Sequence, residues 1–334
     1  MLRYDGSSEI SIFKDKYDSI VDNEIIPMLE KVNDERSSSY YIWGIIIAIP
    51  VSIAFVYIAY LCFSAGDWLD ALFLIGTAFV IPAISAIALE NYLLKEFEIK
   101  LKTPILPILL KAIPDFYWQK TPVITKKEIE EILIFPRAKE CAKSFDDNFL
   151  GKFKGIPFVV GECFYEFHSR HSNPFYFKGI ILKIKMNKSF SGHTVVVPNK
   201  RSVSLNLNEG VGYFDYYSDL KHSDLEQVKL EDVVFNSKYV VYSTDQVEAR
   251  YLLTPTFMEK LKIFEKAFLA SEIYCVFYKD YIYLAPNSGI DLFNLFQNSD
   301  DLLTDKSQFE IFFSQLEAIL DLISFFALDT KLGL

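Results

Sequence analysis

Tyr40–Phe63 (YYIWGIIIAIPVSIAFVYIAYLCF) and Trp68–Leu89 (WLDALFLIGTAFVIPAISAIAL) are the two stretches on which the reading of this chain turns. Each is roughly 20 residues long, enough at 1.5 Å per residue to cross about 30 Å of hydrocarbon. Asp70 alone interrupts the second, at its edge beside Trp68, where an interfacial position is expected. The link Ser64-Ala65-Gly66-Asp67 permits only a tight helical hairpin. Two transmembrane helices, 40–63 and 68–89, joined by a short extracytoplasmic loop at 64–67, are therefore expected.

Working outward, lysine and arginine set the orientation. Lys31 and Arg36 precede the first span, Lys95, Lys100, Lys102 and Lys111 follow the second, and the loop has neither residue type. Both termini are expected on the cytoplasmic side of the cell inner membrane. The first apolar run starts too late and is too long for a cleavable signal peptide. Mid-depth polar groups are limited to Ser52, Thr77 and Ser85, so the hairpin reads as an anchor and not a conduit. Pro50 and Pro82 are tolerable because neighbouring groups can satisfy the freed carbonyls.

Before the spans, residues 1–39 read as a cytoplasmic amphipathic helix. Ile10, Phe13, Tyr17, Ile20, Val21, Ile25, Met28 and Val32 recur at steps of three and four. Ser7 or Ser8 offers an N-cap, and Pro27 should bend or divide the helix. This stripe needs a partner: the C-terminal domain of the same chain by default, a second copy or another protein partner, or the membrane surface. Residues 90–142 read as a juxtamembrane helix, stopped at Thr103-Pro104, followed by a basic, proline-rich linker. From Asn91 to Lys127 there are seven lysines against Glu96, Glu98 and Asp115, a composition suited to anionic membrane lipids. Tyr117 and Trp118, beside Lys111 and Lys120, suit an interfacial belt or a linker folded over the core. The whole chain has a net charge of −10, which disfavours nucleic acid.

Residues 143–334 read as a cytoplasmic α+β domain: a mostly antiparallel β-sheet packed by helices, with a C-terminal helix capping it. The period changes to two in Phe153–Phe167, Phe175–Met186, His193–Pro198, Tyr239–Tyr242, Ile273–Tyr278 and Tyr281–Ala285. Lys279-Asp280 reads as a two-residue hairpin turn. Thr125 caps a short helix from Lys126, with Glu128 at the capping-box position. Asp245 caps a helix from Gln246 to Leu253, with Glu248 three residues on. Thr254-Pro255 then opens a helix to about Phe268. The last helix, Ser307–Leu328, carries Glu310, Glu317 and Asp321, each costing about 2 to 3 kcal/mol at mid-membrane, and so reads as a cover for the sheet.

The segment Leu230–Leu261 (LEDVVFNSKYVVYSTDQVEARYLLTPTFMEKL) resembles the signature of a bacterial membrane-protein family of the domain-of-unknown-function class. Three other pieces share the resemblance: Ile26–Arg36 (IPMLEKVNDER), Gly161-Glu162 and Phe177–Val197 (FKGIILKIKMNKSFSGHTVVV). It implies two N-terminal spans and a C-terminal cytoplasmic domain, and it brings no activity, cofactor or catalytic residue. Within that signature, Tyr242, Asp245, Glu248, Arg250, Thr254 and Pro255 form a candidate structural or recognition corner. A structural Arg250 pairs with a buried carboxylate or carbonyls, whereas a recognition Arg250 is exposed beside a pocket.

No other grouping carries chemistry. Cys163, His168 and His171 match no strong zinc spacing, and Cys62, Cys141, Cys163 and Cys275 read as dispersed reduced thiols. His193 and His222 lack a nucleophile context. Asp146-Asp147 and Asp300-Asp301 lack EF-hand spacing and read as solvated turns. No metal, cofactor or catalytic set is assigned. Three functions fit: a non-catalytic binding or scaffold module held at the membrane, a lipid-headgroup-recognising module, or a membrane-associated enzyme with a dispersed site. A pocket lined by Lys183, Lys185 and Lys188 would favour the lipid reading.

Overall fold

The computed structural model describes residues 6–66, 69, 84, 101–135, 142–169, 172–199, 224–290, 292–293, 295 and 306–332. Within these, the side chains of 6–9, 33–48, 51, 142–144, 146, 167–169, 172–175 and 328–332 are not described. The chain divides into two compact units. One comprises Met1–Tyr17, Leu110–Phe293 and Phe309–Leu334, the other Asp18–Leu109 and Asn294–Gln308.

Among the described residues, the first unit is built on a nine-stranded antiparallel sheet of order β1-β2-β3-β4-β9-β8-β5-β7-β6. Its strands are β1 Phe116–Gln119, β2 Ala142–Phe153, β3 Ile156–Ser169, β4 Ser172–Lys185, β5 Thr194–Pro198, β6 Glu226–Val228, β7 Tyr239–Ser243, β8 Glu272–Tyr278 and β9 Tyr281–Asn287. The period of two is visible across the whole sheet. One row of partners runs Phe149, Val160, Leu182, Leu284, Cys275, Val196, Val241 and Val228, and all are buried. The adjacent row, on the opposite face, runs Tyr117, Leu150, Val159, Lys183, Tyr283, Val276, Val195, Tyr242 and Gln227.

Helices cover the first face. α1 (Gly6–Ile20) brings Phe13 to Phe153 and Tyr17 to Phe313, and the Tyr17 hydroxyl donates to the Phe309 carbonyl at 2.9 Å. The last helix, Ser307–Leu332, packs Phe312 on Phe149 and Phe326 on Phe257, a residue of the helix Pro255–Ala267 that also meets Phe277. The expected C-terminal cover is therefore present. The second face is covered by Ile124, Ile129, Ile132, Ile134 and Phe135, which share one apolar cluster with Tyr165, Phe177, Tyr274 and Val195.

Three strands fall where none was expected. β1 lies in the stretch read as linker, whose few residues are too short to show a period. β2 was missed because its turn, Lys154-Gly155, sits inside what reads as one strand; Lys154 and Gly155 both take positive φ, 50° and 84°. β6 has only three residues. Asp147 needs correction: it is no solvated turn. The β2–β3 register jumps from Phe145↔Cys163 to Asn148↔Gly161, so Asp146 and Asp147 face the single residue Glu162. This bulge buries Asp147 to 2% exposure, and the Trp118 indole N–H donates to it at 2.7 Å. Trp118 is thereby tied to the sheet.

The second unit is mostly helical where it is described. Val21–Ile25 is a π-type turn leading into α2 (Ile26–Ser64), and the Ile26 N–H reaches the Val21 carbonyl. Pro27 supplies the reason, since it has no N–H to continue the regular ladder. Residues 101–110 are helical through Pro104 and Pro107, contrary to the expected stop at Thr103-Pro104. Burial of Leu101, Ile105, Leu106 and Leu109 offsets the lost backbone bonds. Most of the stretch 68–89 lies outside the described residues. Among the described residues, no helix is long and apolar enough to cross a membrane.

Candidate functional site

Each member of the expected corner has a definite role. Asp245 is the N-cap of a short helix, Gln246–Leu252, and its Oδ1 accepts from the N–H groups of Val247 and Glu248 at 2.9 and 3.0 Å. Those donors, Glu248 N–H foremost, hold the Asp245 carboxyl below its usual range. Thr254 caps the next helix by accepting from Phe257 N–H at 3.2 Å, with Pro255 as its first residue. Tyr242 is half-buried and packs on the apolar cluster of the second face.

Glu248 does something a capping box does not. Its two oxygens accept the backbone N–H groups of Ser191 and Gly192, at 2.8 and 2.6 Å, from the loop between β4 and β5. His193 N–H donates to Thr244 Oγ1 at 2.9 Å, and Thr244 N–H returns to the His193 carbonyl at 3.1 Å. The segments carrying SFSGHT and YSTDQVEAR are thus zipped together. Gly192 is required for this approach: a Cβ there would sit 2.9 Å from Asp245 Cβ and 3.1 Å from Glu248 Oε2.

Arg250 has a different environment from a buried ion pair. It is exposed and donates to the Gln246 carbonyl and side chain, at 3.0 and 3.3 Å. Gln246 in turn donates to Glu226 on β6 at 3.0 Å. Val247, Arg250 and Tyr251 share the outer face of this helix, with Val247 and Tyr251 strongly exposed.

A second cluster joins the corner through His193, a residue that sequence reasoning set aside. The His193 ring nitrogen Nε2 lies 2.9 Å from the Ile132 carbonyl, and the ring stacks on Tyr278 at 4.5 Å. Burial lowers its pKa below the ordinary histidine value. Ile132 closes the short helix Lys126–Glu131, two of whose three acids, Glu128 and Glu131, grip the sheet. Glu128 accepts from Lys183 at 2.5 Å and from the Tyr283 hydroxyl at 2.7 Å. Glu131 takes Lys279 and the Tyr278 hydroxyl in the same way. Burial first, then the Glu128 bond, raises the Tyr283 phenol, and Lys183 also lies 4.1 Å from the Tyr281 ring centre. Lys183 is therefore engaged by Glu128, while Lys185 and Lys188 are exposed. The signal missed was the pairing of Glu128 and Glu131, one helical turn apart, with donors distant in sequence.

Among the described residues, the remaining candidates carry no reactive arrangement. Burial pushes the Cys163 and Cys275 thiols up, away from the nucleophilic thiolate. Cys141, His171, His222, Asp300 and Asp301 lie outside the described residues, as does the His168 side chain. Among the described residues, no three His, Cys, Asp or Glu side chains are grouped to hold a metal ion.

Sheet and corner together define an α+β domain whose antiparallel sheet is cross-tied at one end by a capped helical corner. The family described as "Protein of unknown function (DUF3137)" matches residues 176–328, from β4 to the last helix and including the whole corner. No curated protein matches the chain. Among solved structures, the crystal structure of the mycobacterial trehalose monomycolate transport factor A, TtfA, is similar at 11% identity. That similarity covers 52% of this chain and 73% of that one, with a TM-score of 0.23, too slight to carry an argument.

Proposed function

We propose that the chain is a two-span inner-membrane protein presenting a non-catalytic binding or scaffold domain on the cytoplasmic side. The observation that carries this reading is the outward surface of α2. Ile49, Ile53, Tyr57, Tyr60 and Phe63 are each more than half exposed along its C-terminal half. Ser52, Phe55, Ala59 and Cys62, spaced three and four apart, form the less exposed stripe. Leaving such side chains in water forgoes about 1.5 to 3 kcal/mol each, so a lipid environment suits them. The lysine asymmetry described above supports the orientation. Support for a non-catalytic domain comes from its acids: Asp245, Glu248, Glu128 and Glu131 all bind donors of the same chain.

Alkaline extraction of membranes, with reporter enzymes fused at the C-terminus and within Ser64–Asp67, tests this reading. It requires a protein that stays in the membrane pellet, a C-terminal reporter active in the cytoplasm and a loop reporter active outside. Release from the pellet, or a C-terminus active only in the periplasm, would overturn it.

A lipid-headgroup-recognising module is the second reading. It is favoured by the exposed lysines around β1, considered next.

A further inference from the structure

We infer that the β1 edge of the sheet is a surface for anionic phospholipid headgroups, an inference that rests on the membrane-anchored reading above. Tyr117, Leu150 and Val159 stand side by side on one face of β1, β2 and β3. Lys152 and Pro157, paired one step further along the same face, are exposed. Tyr117 is 58% exposed, an aromatic ring at the rim of a basic area, as at membrane interfaces.

Exposed lysines flank this ring, and one exposed acid, Asp115, touches it. Lys120 follows β1 directly, and Lys126 and Lys127 project from the helix that lies on this same face; all three are exposed. The acids of that helix are occupied or turned inward. Glu128 binds Lys183, Glu131 binds Lys279, and Glu130 is half-buried. The Tyr117 hydroxyl donates to the Asp115 carboxylate at 3.5 Å.

Two arguments select a lipid surface over an acidic macromolecule. The chain as a whole carries −10, so a polyanion approaching from solution is repelled, while a tethered basic face meets a bilayer without that long approach. Between Leu89, the end of the second apolar stretch, and Tyr117 on this face there are 28 residue steps (117 − 89). An anchored chain therefore holds this face within a short tether of the headgroups.

Lysine footprinting of the full chain in bilayers tests the inference. The protein is reconstituted into phosphatidylcholine alone, or into equal parts phosphatidylcholine and phosphatidylglycerol, and exposed lysines are acetylated and read by mass spectrometry. Lys120, Lys126, Lys127 and Lys152 are expected to label several-fold more slowly in the anionic bilayer, and high salt should abolish the difference. Lys266, at the end of the helix Pro255–Ala267, serves as the unchanged control. Lys120→Glu with Lys152→Glu should remove the protection of Lys126 and Lys127. Equal labelling in both bilayers overturns the inference, and so does protection in both, which would mark a protein contact. If the chain embeds in neither bilayer, the anchoring reading fails by itself. The same footprint with vesicles added to the chain in detergent-free buffer then still decides the surface.

Discussion

Glu248 accepts the N–H of Gly192 at 2.6 Å across 56 residues of sequence, making one carboxylate both the third residue of a helix and the clasp of a distant loop. The corner is thus a tertiary joint. It fixes the loop between β4 and β5 onto the turn after β7, and through His193 it reaches the helix that covers the second face of the sheet.

Gly192→Ala should destabilise the domain more than loss of the clasp itself. The added methyl meets Asp245 Cβ at 2.9 Å, closer than Cβ contacts allow, so the loop must lift from the helix. Strain of this kind costs about 1 to 3 kcal/mol. Glu248→Gln keeps the shape but sets its amide N–H2 against one of the two backbone N–H groups, losing that bond and the charge assistance of the other, at a cost of about 1 kcal/mol. Denaturant melts should rank the two in that order. A Gly192→Ala protein as stable as the parent would show that the corner does not hold the loop.

Arg250→Ala should leave the melting midpoint within about 0.5 kcal/mol of the parent, as for other exposed positions. The carboxylate partner that a structural arginine needs is not among its bonds, which go to Gln246. A loss of several kcal/mol in thermal melts would reveal a tertiary partner and restore the structural reading.

Lys183 and Glu128 should be strongly coupled. Their side chains are 18% and 20% exposed and share Tyr283, an environment between a surface pair and a buried one. Removing either partner should cost about 2 kcal/mol, below the 3 to 5 kcal/mol of a fully buried pair. The double variant should cost less than the sum of the singles. Additive losses in the double-mutant cycle would mean that each residue acts through packing alone.

The pH dependence has a definite sign. His193 has a lowered pKa in the fold, so the unfolded chain binds its proton more tightly. Its penalty is absent well above the ordinary value of 6.5 and grows as pH falls through 6.5 towards the folded value. Asp245 and Glu131 are lowered too, by the Glu248 N–H and by Lys279 respectively. Their contribution is present above the ordinary carboxylate range and is lost as pH falls through their folded values. Denaturant stability should therefore decline below neutrality, and again in the acid range. His193→Gln should flatten the first decline only.

How much of this was legible in the sequence follows from the range of the interactions. The caps Asp245 and Thr254 and the Lys279-Asp280 turn were readable because donor and acceptor lie within a few residues of each other. Glu248 was read as a local capping partner, since nothing in its neighbourhood points to Gly192. Arg250 invited a buried partner because its type so often has one, and only the exposed helix face decides otherwise. The bulge at Asp146-Asp147 escaped for a similar reason: two aspartates read as solvent-facing until a strand, β1, is found to bring the Trp118 donor to Asp147.

That strand decides where the domain can be cut. A fragment starting at Lys126, where a short capped helix begins, omits β1 and leaves Asp147 buried without the Trp118 donor. It also lacks Phe13 and Tyr17, whose rings cover Phe153 and Phe313. A fragment starting at Leu110 keeps the β1–β2 pairing, and a peptide of residues 6–17 added to it should restore the cover on Phe313. The expected order of melting temperature is the Leu110 fragment with peptide, then without it, then the Lys126 fragment. Circular dichroism melts give that order directly. A Lys126 fragment melting with the longest-covered form would mean that β1 and the first helix sit on the domain without stabilising it.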